Sequence, residues 1–224
     1  MALSSQLDEA LSKLRHELSM QFGFVEEMID GAIQSLSERN VDLAASVIVK
    51  DRRVNHQERL IERETEHLIA LHAPRAGDLR YLTTIYKVSA ATERMADLSC
   101  NIAERSMEMF NYPQFTVPSD LNTMVAHVKW MVRKASDAFL DLDKGLAQQV
   151  IRRDDLVDNL NRMLITQLQS MMREDPALIE PAVHCFSTTR HLERIADLAE
   201  TLAKQIFYVV DGPIQEDESR PSDD

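Results

Sequence analysis

The sequence predicts an all-α protein built as two tandem three-helix bundles related by internal duplication. Only five glycines and seven prolines interrupt 224 residues, and the good helix formers Leu, Ala, Met, Glu and Arg are abundant. The chain breaks at few points, leaving long segments with apolar residues on one face. Core positions of the second half also repeat those of the first at a nearly constant interval.

Each element follows from its punctuation. A first amphipathic segment runs from about Ser4 to Ser37 and breaks at "ERN", and a second runs from Asp42 to about His72 and ends at "APRAG". Asp78 is placed to cap a third, which continues to Phe110. "NYPQFTVPS" is the longest interruption and divides a first bundle, 1–112, from a second, 113–211. The second unit carries helices over Asp120–Asp141, Gly145 to about Arg173, and Pro176–Val210, with Pro176 of "REDP" suited to a first turn. The remaining stretch, 212–224, has the polar, charged composition of a disordered acidic tail. Helices of about 30 residues extend about 45 Å, so they pack lengthwise.

The duplication is read from matched positions. The second helix has Val47, Val54, Ile61 and Leu68 at seven-residue spacing, and the fifth has Val150, Val157, Leu164 and Met171 at the same displacement. "ERMAD", Glu93 to Asp97, and "ERIAD", Glu193 to Asp197, hold corresponding places in the third and sixth helices. An accident of heptads would explain one matched set, but not two with nearly equal displacements.

Acids outnumber bases 37 to 25, for a formal charge of -12. That balance argues against a nucleic-acid partner, which selects basic surfaces, and against electrostatic attachment to anionic lipid. Cys100 and Cys185 lie in apolar helical patterns without a CxxC pairing, as two buried free thiols of a reducing compartment would. "MALSSQLDEALSKLRHEL" has early acids and no apolar h-region, and no run is long enough for a membrane span. A cytoplasmic protein without direct membrane insertion is therefore expected.

Rows of oxygen-bearing side chains run beside the core positions. The third helix carries Glu93, Asp97, Asn101 and Glu104; the sixth carries Glu193, Asp197, Glu200 and Thr201. The middle helices contribute Asp51, Asn55, Glu58 and Glu62, and Asp154, Asp158 and Asn161. Each of those rows begins four residues after Val47 or Val150, so neighbouring helices would bring two rows together along one groove. Like charges four residues apart destabilise a helix by a few tenths of a kcal/mol, and facing pairs add repulsion. For a single ExxxD, nearby bases such as Arg190, Lys50, Arg53 and Arg153 would be explanation enough. Equivalent acid-amide pairs in both repeats point to a multivalent cation in each groove. All the donors are carboxylate or amide oxygens, which favour hard ions: Mg²⁺, Mn²⁺, Ca²⁺ or oxidised iron. As charged ligands the first groove offers Asp51, Glu93 and Asp97, with Asn55 and Asn101 as neutral ones, and the second offers Asp154, Asp158, Glu193 and Asp197, so the second is expected to bind more tightly.

With these rows in view, the sequence resembles the PhoU family of phosphate-transport regulators over nearly its whole length. "ERMADLSCNIAERS" and "LERIADLAETL" are similar to the two copies of the family's E(D)xxxD motif; "MQFGFVEEMIDGAI", "VIVKDRRVN", "VIRRDDLVD" and "QIFYVVDG" add to the likeness. The resemblance implies two three-helix bundles joined side by side, with iron, zinc, magnesium or manganese held on the bundle surface. By motif match the ligands would be Asp51, Asn55, Glu93, Asp97, Asp154, Asp158, Glu193 and Asp197, with Asn101 and Glu200 as further candidates. Asn55, an amide, departs from a carboxylate-rich pattern. The implied role is regulatory and not catalytic: coupling the Pst phosphate ABC transporter, through its ATPase subunit, to the sensor histidine kinase of the phosphate two-component system. Both uptake and the starvation response would be restrained when phosphate is plentiful. A homodimer is expected.

Other readings are weaker. A ferritin-like di-iron carboxylate enzyme needs two ExxH motifs in one four-helix bundle, and the chain has only Glu64 to His67. No nucleophile–His–acid constellation or glycine-rich phosphate loop is present, so ATP chemistry would belong to a partner. Regulation of a different phosphate permease remains an alternative, as does a scaffold whose acids only confer solubility. Phe22 and Phe24, around Gly23, read as core residues before docking residues. His191 is out of phase with the acid row and reads as structural or surface.

Overall fold

Long stretches without a breaker become six helices: α1 (Ala2–Glu38), α2 (Val41–His72), α3 (Ala76–Met109), α4 (Asp120–Asp141), α5 (Lys144–Glu174) and α6 (Ile179–Asp211). The computed structural model describes residues 2–212; the tail expected over 212–224 lies, from residue 213 onward, outside the described residues. Among the described residues there is no strand.

The two halves turn alike. Between α1 and α2, Arg39 adopts φ 54° and Asn40 caps the next helix by accepting from the Leu43 N–H at 3.0 Å. Between α4 and α5, Leu142 adopts φ 52° and Asp143 accepts from the Leu146 N–H at 3.0 Å. Each left-handed residue reverses the chain and each cap satisfies a donor the helix leaves free. Two expected boundaries shift. The residue preceding α3 is Arg75, which makes no side-chain cap, and Asp78 sits in the first turn where its charge still favours the helix dipole. Pro176–Leu178 wind as a tight 3-10 turn ahead of α6, with Asp175 accepting from the Ala177 N–H at 2.9 Å.

α1, α2 and α3 pack on one another, as do α4, α5 and α6. The bundles join through α3 on α6 and α1 on α4, while α2 and α5 touch only their own bundles. α3 and α6 run antiparallel: Lys87 lies over the Tyr208 ring at 5.9 Å, and the Tyr112 and His184 rings sit 6.2 Å apart at the opposite end. Val47, Val54, Ile61 and Leu68 are all buried, as are Val150, Val157 and Leu164; Met171, near the end of α5, is half-buried. Burial along 91–110 recurs along 191–210 with one difference, Asn101 against the exposed Thr201. Phe22 is buried and Phe24 packs half-buried against the core. Cys185 is buried, but Cys100 is only half-buried, because it borders the acid row and not the bundle axis.

Candidate metal centres

The α2–α3 and α5–α6 contacts bring the expected rows together. In the first groove Asp51 is half-buried; its Oδ2 accepts from Asn55 Nδ2 at 2.6 Å, and its Oδ1 is buried without a partner. Burial, then the charge of Asp97, raises the Asp51 carboxyl above its ordinary range, against the Asn55 hydrogen bond. Glu93 is pushed up to about 7 by burial and then by Asp97, Glu58 and Asp51, with Arg94 opposing. Glu58 is raised by burial and Glu62, with a smaller contribution from Asp97. Asp51, Glu58 and Glu93 thus each feel the charge of Asp97, so these four carboxylates share one groove.

The second groove is tighter. One oxygen each of Asp154, Asp158 and Asp197 lie within 4.8 Å of one another. Asp154 is pushed up to about 6 by burial, then by Glu200, Asp197 and Asp158, with Lys204 opposing. Asp197 is raised by burial, then by Asp158 and Glu200. Glu193 accepts from Arg190 at 2.8 Å through Oε1, while its Oε2 is buried without a partner. Glu200 pairs with Lys204 at 2.6 Å. Bases therefore reach Glu193 and Glu200, but none of Asp51, Asp97, Asp154, Asp158 or Asp197 joins an ion pair among the described residues.

Two flanking bases point elsewhere. Lys50 reaches Glu27 on α1 at 3.3 Å. Arg153 donates to His127 Nδ1 at 2.9 Å and stacks 4.2 Å over Trp130, both on α4. Buried oxygens without partners are costly, and here Asp51 Oδ1, Glu193 Oε2 and Asn161 Oδ1 are all of that kind. An oxygen-only set with such orphans suits a hard cation. Asn161 and Glu58 belong to the oxygen rows but not to the ligands the motif match implies, and they occupy equivalent positions in the two repeats. Each continues its row by a step of three from Asn55 or Asp158, a signal available in the spacing. Asn101 lines a different feature: with Arg94, Asp97 and Leu98 of α3, and Arg194, Asp197 and Leu198 of α6, it borders a cleft of about 340 Å³ where the bundles meet. His191 is half-buried with Nε2 3.2 Å from Ser187 Oγ, and burial, then Arg105 and Arg194, lowers its basicity.

Fold and grooves together define a class of duplicated all-helical proteins with one acidic groove per three-helix unit. The PhoU domain model matches residues 18–106 and again 121–206. The phosphate-specific transport system accessory protein PhoU homolog of Aquifex aeolicus is 38% identical over 209 residues, covering 93% of this chain and 95% of that protein. The PhoU accessory protein of Escherichia coli is 30% identical over 210 residues, covering 94% and 87%. The crystal structure of PhoU from Pseudomonas aeruginosa superposes with a TM-score of 0.88 at 30% identity, over 92% of this chain and 99% of that one. The phosphate transport system regulatory protein PhoU from Streptococcus pneumoniae shares the fold at TM-score 0.86 and 23% identity, over 92% and 98%. The chain belongs to the PhoU family, whose members are accessory and regulatory proteins and not enzymes. No helix among the described residues is long and apolar enough to cross a membrane.

Proposed function

We propose that this protein is a cation-binding negative regulator of phosphate uptake and of the phosphate-starvation response. Asp154, Asp158, Glu193 and Asp197 hold a multivalent cation in the second groove, with Glu200 and Asn161 beside them. Asp51, Asn55, Glu93, Asp97 and Glu58 hold one in the first. The observation that supports this best is the convergence of Asp154, Asp158 and Asp197 within 4.8 Å, with none of the three in an ion pair among the described residues. A bound Mg²⁺, Mn²⁺, iron or Zn²⁺ ion would supply the missing positive charge and fix the helix pairs of each bundle. The Pst transporter's ATPase subunit and the sensor histidine kinase are the partners, which puts the protein in the cytoplasm, as a homodimer. Support for the transport role comes from the relatives, named as accessory proteins of phosphate-specific transport. A pull-down from phosphate-replete cells is the test: recovery of the ATPase or the kinase is the expected result, and recovery of neither contradicts it.

A further inference from the structure

The cleft where α3 crosses α6 brings charges of both signs together at matched positions. Arg94 and Asp97 enter from α3, Arg194 and Asp197 from α6, and the volume of about 340 Å³ is on the scale of a small-molecule site. Each Arg stands three residues before its Asp, the spacing at which Arg190 holds Glu193 at 2.8 Å on the same α6. Yet among the described residues neither Arg94 nor Arg194 has a carboxylate within ion-pairing distance. Asp197 borders both this cleft and the group of oxygens it forms with Asp154 and Asp158. Two arginines thus line one cleft of an otherwise acidic chain, neither of them in an ion pair among the described residues, and planar guanidinium forks match oxyanions.

We propose that the cleft binds a small tetrahedral oxyanion between Arg94 and Arg194, and that it does so when cations fill the flanking grooves; this second condition rests on the metal reading above. With empty grooves, the uncompensated charges of Asp97 and Asp197 at the cleft repel an anion that the two arginines would otherwise attract. A cation in each groove compensates those carboxylates and leaves the cleft positive. Because coupling between two binding sites is reciprocal, the anion must tighten the cations by the same factor. The cleft would thereby join the two bundles into one responsive unit, with a ligand touching both.

Calorimetric titration of inorganic phosphate into the full chain tests this, with manganese content measured on each sample. Manganese-loaded protein should bind phosphate at least about tenfold more tightly than chelator-stripped protein, within the range of typical coupling. The double variant Arg94→Gln/Arg194→Gln should keep its manganese and lose at least about tenfold in phosphate affinity, an effect of two charge-assisted contacts. Sulfate competing for the same site would identify a general oxyanion site, and failure to compete one selective for phosphate; either agrees with the proposal. Equal binding by stripped protein overturns the coupling. Equal binding by the double variant places phosphate on the metal alone and overturns the arginine site. Manganese uptake without phosphate binding overturns this inference only, whereas no manganese uptake by the wild type overturns it together with the cation reading.

Discussion

Asp51 and Asp154 hold the same position in two copies of one helix pair but keep different company. Asp51 accepts a 2.6 Å hydrogen bond from the Asn55 amide, while Asp154 feels the carboxylate of Asp158 in the equivalent place. One amide-for-acid difference thus makes the first groove self-satisfied in part and leaves the second dependent on an external charge.

Exchanging that residue should exchange the ranking. Asp158→Asn should weaken cation binding in the second groove by about tenfold, roughly 1.4 kcal/mol. Asn55→Asp should strengthen the first groove by a similar factor. Titration calorimetry with Mn²⁺ on wild type and both variants checks this, and equal affinities in all three would contradict it.

Acidity should oppose cation binding. Glu93 and Asp154 lose their protons only around 7 and around 6, so metal uptake should weaken as pH falls from 7.5 to 5, and loading near pH 6 should release protons. For the metal-free protein the sign is opposite to that of a salt-bridged acid. Raised carboxyls bind more protons folded than unfolded, so stability falls as pH rises from the unfolded values, near 4, through the folded ones, near 6 to 7. Thermal unfolding of stripped protein should therefore give a higher Tm at pH 5 than at pH 7.5 from these groups. Added metal should raise Tm more at pH 7.5 than at pH 5.

The join between α1 and α2 offers a packing test. A Cβ built on Gly31 meets Val47 Cγ2 at 2.8 Å, and Val47 is a buried, β-branched residue of the seam with little freedom to move aside. Gly31→Ala should destabilise the fold by about 1–3 kcal/mol through overpacking, despite the better helix propensity of alanine. Urea unfolding measures it; a stabilised variant would mean that the two helices separate easily.

The connection between bundles offers another. Arg39 donates to the carbonyls of Tyr112 at 2.8 Å and Phe115 at 2.7 Å, tying the α1–α2 turn to the α3–α4 linker. Arg39→Ala should cost about 1–3 kcal/mol by leaving the Phe115 carbonyl unpaired, while the Tyr112 carbonyl keeps the Phe115 N–H at 3.1 Å, and proteolysis at the linker should accelerate. Unchanged stability and protease resistance would show that the linker holds itself.

Much of this was legible in sequence because helix and groove share one period. The step from Val47 to Asp51 and from Val150 to Asp154 places both rows beside a core seam, and the seam positions are buried almost throughout. Boundaries were less legible: Arg75 precedes α3 without a capping side chain, so nothing in composition marks it. Pro176 marks the neighbourhood of a helix start, but the α-helix begins only at Ile179, because the proline's own turn, with Asp175 accepting from the Ala177 N–H, winds as 3-10. The cleft between Arg94 and Arg194 was not legible at all, because it arises from antiparallel packing of helices a hundred residues apart. Cys100 shows the same limit: an apolar neighbourhood in sequence does not say that its side chain faces Asp51 and Asp97, whose charges add to burial in pushing its thiol up to about 12.

The central claim, that the two acid grooves exist to hold cations, is tested most directly by elemental analysis of protein purified without chelator. Wild type should carry stoichiometric multivalent metal, and Asp154→Asn/Asp197→Asn should lose the share held by the second groove while remaining folded by circular dichroism. Wild-type protein with no stoichiometric metal, or a double variant that retains all of it, would contradict the account.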